Sequence, residues 1–264
     1  MLKEQNSKWA LVTGATSGIG RAFVDLLAKD GFNIVLLARN VDLLRETAKE
    51  VEKCHGVQTE EFAFDLGDEC TPRAIISELA KKKIILNVLV NNAGFGDLEP
   101  FSQAEWLLNK RQINVMLGAV TELSYYAAQQ MKEERQGWII NVSSLAAFTP
   151  NMPGTMYNGI KSFVVNFSEA LNLELKPYNV QCTALCPGMT KTNFPKAMGA
   201  EEFFARIPEW RWMTSEQVAK EGVAAVLKGK SVHIPGKVNR LLAKIFQVMP
   251  HALKYEMGRR GLVL

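Results

Sequence analysis

Short apolar runs alternate with longer amphipathic stretches along this chain. Residues 9–13 (WALVT), 33–38 (NIVLLA), 59–64, 84–90, 138–143 (WIINVS) and 179–185 (NVQCTAL) have strand length. Between them, helical spacing covers about 18–30 (stopped by Gly31), 41–54, 72–82, a long region over 101–133, and 155–175. Near-continuous apolar strands separated by helices predict a parallel sheet covered on both faces. Right-handed crossovers make this an α/β, Rossmann-like, doubly wound sheet in three α/β/α layers. The sequence has no internal repeat and no Gly/Ser linker, so residues 1–264 read as one domain.

Residues 187–213 break the rhythm. Pro187, Gly188, Pro195, Gly199 and Pro208 interrupt a stretch rich in Met and aromatics. A long loop inside a compact domain is usually functional, and this one is expected to cover a substrate. Thr214-x-x-Gln217 has the spacing of a capping box that opens one more helix. A short strand near 231–234 follows. The segment 237–264 carries Val238, Leu241, Leu242, Ile245, Phe246 and Met249 at helical spacing, which predicts a helix up to Pro250 and another beyond it.

Composition narrows the class. The chain has 264 residues, 47% hydrophobic and 22% charged, which excludes a disordered or low-complexity protein. The formal charge of +4 is too weak to argue for a nucleic-acid partner. Its distribution says more. Residues 228–264 hold eight Lys and Arg against a single Glu, a net +7, which leaves −3 for residues 1–227. The four cysteines form no C-x-x-C pair and the histidines are scattered, so no metal site or disulfide framework is expected and a reducing, cytoplasmic compartment is the default. The first residues, MLKEQNSK, lack the apolar core of a signal peptide, and no apolar run is long enough to span a bilayer.

The candidate chemistry begins after the first strand, at Thr13-Gly14-Ala15-Thr16-Ser17-Gly18-Ile19-Gly20. Glycines allow a tight turn and close approach of backbone to a ligand. The helix that opens there points its N–H groups and positive dipole end at the turn, which suits a pyrophosphate. A bare tight turn would read the same from glycines alone; its position between strand one and helix one favours the dinucleotide. The end of the second strand reads Leu37-Ala38-Arg39-Asn40. No acid stands there to bind a ribose 2′-hydroxyl, and Arg39 offers a planar fork for a 2′-phosphate, which favours NADP(H) over NAD(H). The other reading of Arg39, a solvated residue at a helix start, ranks behind it. Asp65 ends the third strand and suits an adenine amino group, or a cap. Asn91-Asn92-Ala93-Gly94 ends the fourth, at the sheet edge where ligands bind.

Tyr157 and Lys161 are spaced i, i+4 on one helix face. An ammonium near a phenol favours phenolate and so lowers its pKa from about 10. Such a Tyr can give a proton to, or take one from, a carbonyl/alcohol oxygen. Ser144 lies on the loop after the fifth strand, where a hydroxyl can stabilise developing charge on a carbonyl oxygen. Asn114 is a polar residue in an apolar helical stretch and needs a partner, for which a backbone group would suffice.

TGATSGIG, NNAG, a helical Asn, the Ser–Tyr–Lys set and Pro187-Gly188 together resemble the short-chain dehydrogenase/reductase family, over roughly residues 8–235. The resemblance implies that Gly14, Ser17, Gly18, Ile19 and Gly20 line a dinucleotide, and that Arg39 stands at the NADP-preferring position. It implies that Asp65 and Asn91 contact the adenosine half, and that Pro187, Gly188 and Thr192 contact the nicotinamide end. Thr16, Leu66, Ala93, Gly94 and Thr190 complete the expected cofactor-binding set. Tyr157 would be the acid/base and Ser144 the carbonyl orienter. Lys161 would hold the nicotinamide ribose and lower the Tyr157 pKa, with Asn114 holding a relay water to Lys161. Assembly as a homodimer or homotetramer through the two long helices is also implied. There are two departures. Thr16 and Ser17 stand where NADP-preferring members often carry a second basic residue, and the spacer Asn158-Gly159-Ile160 lacks the usual Ser before Lys161.

The loop residues Met189, Phe194, Met198, Phe203, Phe204, Ile207, Trp210, Trp212 and Met213, with Phe95, Phe148, Met152 and Met156, suit an apolar ketone, aldehyde or alcohol. About half are expected only to pack the loop. The leading expectation is an NADPH-dependent carbonyl reductase of the ketoacyl, steroid or fatty-carbonyl type. A cofactor-binding redox sensor or scaffold without turnover is the alternative; the complete Asn–Ser–Tyr–Lys set speaks against it. An epimerase or dehydratase is a third, disfavoured by the short length. The basic tail suits a peripheral membrane contact, or a cover for the substrate pocket or a subunit contact.

Overall fold

Leu11 faces one side of the sheet and its neighbours Ala10 and Val12 face the other, and all three are fully buried. That two-sided burial is why the strands read as continuous apolar runs. The structure is a computed structural model and describes residues 8–96, 99–150, 156–194, 198, 205 and 207–260. Seven strands form the sheet: β1 (Trp9–Thr13), β2 (Asn33–Ala38), β3 (Thr59–Ala63), β4 (Leu86–Asn91), β5 (Gly137–Val142), β6 (Val180–Leu185) and β7 (Val232–His233). Their order is β3-β2-β1-β4-β5-β6-β7, and every neighbouring pair is parallel. The winding therefore reverses between β1 and β4, and the crevice at their carboxyl ends is where ligands bind in such sheets.

Helices cover both faces. On one lie α1 (Gly18–Lys29), α2 (Val41–His55) and α7 (Ser215–Leu227), which contribute Phe23, Leu44 and Val218 to the core. On the other lie α3 (Thr71–Lys81), α5 (Ala119–Glu134) and α6 (Met156–Leu175), which contribute Ile75, Leu123 and Ile160. Each such side chain stabilises the fold by roughly 1.5–3 kcal/mol before entropy is counted. A shorter α4 (Trp106–Ile113) leads into α5, and α8 (Lys237–Val248) and α9 (His251–Arg259) end the described chain on either side of Pro250. The capping box is formed: Thr214 Oγ1 accepts from Gln217 N at 3.2 Å, and Gln217 Oε1 accepts from Thr214 N at 3.0 Å.

Several boundaries differ from the sequence pattern. The long helical region is two helices joined by a wider, π-type turn over Asn114–Gly118, and residues 101–104 are turns. Strand β4 starts at Leu86 rather than 84, because the chain leaves α3 through Lys83 in the left-handed region (φ 55°). Strand β7 is only two residues long. Pro195, Gly199, Met152, Thr155, Phe203 and Phe204, named from the sequence, lie outside the described residues.

The glycine turn shows how tightly α1 meets the sheet. A Cβ at Gly20 would run into the carbonyl oxygen of Gly14, whereas a Cβ at Gly159, on the exposed side of α6, would meet nothing within 4 Å. Gly20→Ala is therefore expected to destabilise by about 1–3 kcal/mol, and Gly159→Ala to stabilise by up to about 1 kcal/mol. Thermal unfolding of both variants checks this; equal shifts would refute the close packing.

Candidate active site

Side chains join the carboxyl ends of β1 and β4. Thr13 Oγ1 accepts from the backbone N–H of Asn92 at 2.8 Å and of Ala93 at 2.9 Å. The Asn92 amide donates to the Thr13 carbonyl at 2.9 Å. Gly14 (φ 65°) and Gly18 (φ 54°) turn in the left-handed region, where a side chain would be strained. Ser17 is exposed and supplies no side-chain acceptor to the first turn of α1, so those amides remain available to an anion. Thr16 is half-buried beside them, and Ile19 packs against the core below. The methyl of Thr192 lies 3.0 Å from the Cβ position of Gly18, so the start of the 187–213 loop closes over the turn.

Arg39, at the end of β2, is exposed and makes no hydrogen bond or ion pair among the described residues. Its charge reaches Asp65. Burial alone would raise the Asp65 carboxyl, but the Gly67 N–H, Arg111 and Arg39 together hold it below the ordinary carboxylate range. Arg111 Nη2 meets Asp65 Oδ2 at 2.5 Å, and Gly67 N donates to Asp65 Oδ1 at 2.9 Å. Leu66 between them is a core residue. The Asp65 carboxylate is thus already engaged, and any adenine contact must share it. One turn along from Arg111, the Asn114 amide donates to the Gly67 carbonyl at 2.8 Å. Two side chains from α4 and its π-type turn therefore clamp the loop after β3. This pairing borders a cavity of about 440 Å³ lined by residues 67–69 and by α4.

Two of the expected residues also have internal partners. Asn91 is buried, and its amide donates to Asn141 Oδ1 at 2.8 Å and Ser124 Oγ at 3.1 Å, so its side chain braces the sheet interior. The Asn114 amide is engaged by the Gly67 carbonyl, the backbone partner that its residue type also suited. Met116, from the same turn, is the side chain against Gly94, whose Cβ position is 3.2 Å from the Met116 sulfur and 3.7 Å from Lys161 Nζ.

Tyr157, Lys161 and Ser144 converge at the ends of β5 and β6. Lys161 is buried; its Nζ donates to the Val142 carbonyl at 2.9 Å, and its own carbonyl accepts from Ser143 Oγ at 2.7 Å. Nζ lies 5.4 Å from the Tyr157 ring centroid. The Ser144 side chain accepts from Ala146 N at 3.1 Å and also hydrogen-bonds the Tyr157 hydroxyl. Burial pushes the Tyr157 phenol up to about 12, against the Ser144 bond that favours phenolate. Burial also brings the Lys161 ammonium down to about 8. The expected net lowering of the Tyr157 pKa is therefore not found, because desolvation outweighs the other contributions. Cys186 adds to this dryness: it is buried beside both residues, and its thiol is pushed up to about 12.

The adjoining loop supplies apolar walls. Phe194 packs on Tyr157 with ring centroids 6.0 Å apart, and Met198 lies over Gly96. Pro187 accepts from Leu145 N at 2.8 Å, and Thr190 donates to the Gly188 carbonyl at 3.0 Å, which shapes the turn beside Ser144. Phe95, Met156 and Met213 pack against the core, Phe148 joins a smaller cluster, and Trp210 is exposed. Sequence reasoning missed Arg111, although it shares a helix face with Asn114 at i, i+3. It also missed Asn239 of α8, whose amide group lies under Gly188 and fills the space a Cβ would take.

The comparisons agree with this geometry. The family model for short chain dehydrogenase matches residues 8–202. The chain is 34% identical over 197 residues to a very-long-chain 3-oxoacyl-CoA reductase-B of Danio rerio, a match covering 72% of this chain and 61% of that protein's length. It is 27% identical over 238 residues to a 3-oxoacyl-acyl-carrier-protein reductase of Aquifex aeolicus, covering 87% of this chain and 96% of that one. Among solved structures, a short-chain dehydrogenase from Sphingobium yanoikuyae in complex with NADPH superposes with a TM-score of 0.79 at 25% identity, covering 93% of this chain and 97% of that chain. A seven-stranded parallel sheet, the glycine turn at its switch point and the Ser144–Tyr157–Lys161 cluster thus occur in a chain that belongs to the short-chain dehydrogenase family.

Proposed function

We propose that the protein is an NADPH-dependent reductase of a ketone or aldehyde on an apolar body, with a 3-oxoacyl thioester as its substrate class. The observation that carries this reading is the convergence of Ser144, Tyr157 and Lys161 under Phe194 at the sheet edge. The names of the zebrafish and Aquifex relatives support the thioester class. The glycine turn, the uncapped first turn of α1 and the unpaired Arg39 fit a dinucleotide that carries a 2′-phosphate. When bound, the reduced nicotinamide supplies a hydride equivalent to the carbonyl carbon.

The chain's own residues handle the proton and the oxygen. With its pKa near 12, Tyr157 is neutral at physiological pH and stands as the proton donor to the carbonyl oxygen. Ser144, already bonded to the Tyr157 hydroxyl, is placed to share that oxygen and stabilise its developing charge. Lys161, with a pKa near 8, remains largely an ammonium at pH 7 and favours the phenolate left after transfer. Pro187, Gly188, Thr190 and Thr192 border the nicotinamide end, and Phe194, against Tyr157, borders the substrate. Copies of the chain pair through α5 and α6, whose exposed Tyr125, Phe163 and Leu173 support such a contact.

A series of 3-oxoacyl-CoA substrates of increasing chain length, assayed with NADPH and with NADH, tests the reading; no turnover of any ketone would defeat it. Tyr157→Phe is expected to lower kcat by about 10²–10⁴-fold, while NADPH binding, followed by fluorescence, stays intact. Arg39→Ala should lower kcat/KM for NADPH about tenfold or more and leave NADH little changed; an equal loss with both cofactors would remove Arg39 from the 2′-phosphate. Arg111→Met frees the Asp65 carboxylate and loosens the loop after β3, so KM for the cofactor should rise while kcat stays within about twofold. A fall in kcat with KM unchanged would show that Arg111 acts elsewhere.

A further inference from the structure

Helix α8 has two faces, and only one meets the protein. Asn239, Ala243 and Phe246 are buried, with Phe246 only 1% exposed. The helix cannot roll about its axis to hide the rest. The Asn239 amide donates to the Pro235 carbonyl at 2.9 Å, and Arg240 donates to the Ile234 carbonyl at 3.0 Å and to Glu221 Oε2 at 3.2 Å. The other face carries Val238, Leu241, Ile245 and Val248, all exposed, with Leu241 at 61% and Val248 at 84%. At 100° per residue these four fall within a quarter of the helix surface, with Lys237 and Lys244 along one edge. Leu253 and Tyr255 of α9 are also exposed, but at i, i+2 they stand on different sides of that helix.

The charge around this stripe is unbalanced. Arg240 pairs with Glu221, and Arg259 and Arg260 pair with Glu256. Lys237, Lys244 and Lys254 have no carboxylate partner among the described residues, and neither do Lys228 and Lys230 just before β7. An exposed apolar stripe edged by free lysines matches an anionic bilayer, which takes the apolar side chains below its headgroups and the ammonium groups among its phosphates. No helix among the described residues is long and apolar enough to cross a membrane.

We propose that the exposed stripe of α8 docks the protein on an anionic lipid surface. The buried face of the same helix lies under Gly188 and meets Met213, where Asn239 Nδ2 is 3.6 Å from the sulfur. Docking therefore holds the Gly188–Met213 edge of the candidate active site beside the bilayer.

Flotation of the full-length protein with vesicles of phosphatidylcholine and phosphatidylglycerol in equal parts tests this against vesicles of phosphatidylcholine alone. The protein is expected to float with the anionic vesicles, to stay below with the neutral ones, and to come off at high salt. The double variants Leu241→Ser/Val248→Ser and Lys237→Glu/Lys244→Glu should each lower the bound fraction about tenfold or more with melting temperature unchanged. Wild-type protein that fails to float, or variants that float as well as wild type, would overturn the proposal. So would a smaller particle mass for the Ser variant by light scattering together with absent vesicle binding, which would make the stripe a contact between copies. Flotation needs no turnover, so its outcome is independent of the reading of the active site.

Discussion

The ligand edge of this fold depends on how closely β1 and β4 are held at their carboxyl ends. A parallel sheet whose winding reverses leaves a gap there, since the two connections depart to opposite faces. Thr13 and Asn92 bridge that gap by hydrogen bonds to each other's backbone. The bridge sets the glycine turn against the Asn92–Gly94 segment, and Gly94 in turn lies against Met116 and Lys161. The glycine turn and Lys161 are thus fixed relative to each other through one short seam.

Dryness governs the chemistry on the far side of that seam. Burial moves Tyr157 and Lys161 in opposite directions, each toward its neutral form. A neutral phenol is the form that can donate a proton, which fits the reductive direction proposed above.

Much of this was legible in the chain. Strand-length apolar runs predicted the strands because both faces of the sheet are covered, and the Thr214–Gln217 spacing predicted a capping box that is formed. Convergence of Ser144, Tyr157 and Lys161 followed from strand ends and helix spacing. What stayed hidden depended on contacts between distant segments. Nothing local to Asp65 announces Arg111, 46 residues away. Asn91 and Asn114 have the residue type of ligand contacts, yet internal partners take their amides. Spacing reports which face a side chain is on, but not which acceptor claims it. The Tyr157 pKa is hidden for a related reason: proximity of Lys161 can be read from i, i+4, whereas the cost of drying both groups depends on the surrounding walls.

One contact ties the end of the chain to its chemical centre. Asn239 stands where a side chain at residue 188 would have to go, so α8 is a floor beneath the Gly188 turn as well as a bearer of exposed leucine and valine. The helix is a mechanical link. A load on its outer face, from whatever surface it rests on, passes through Asn239 to the turn that borders Ser144, and cutting the helix away would remove a support of the site along with its outer face.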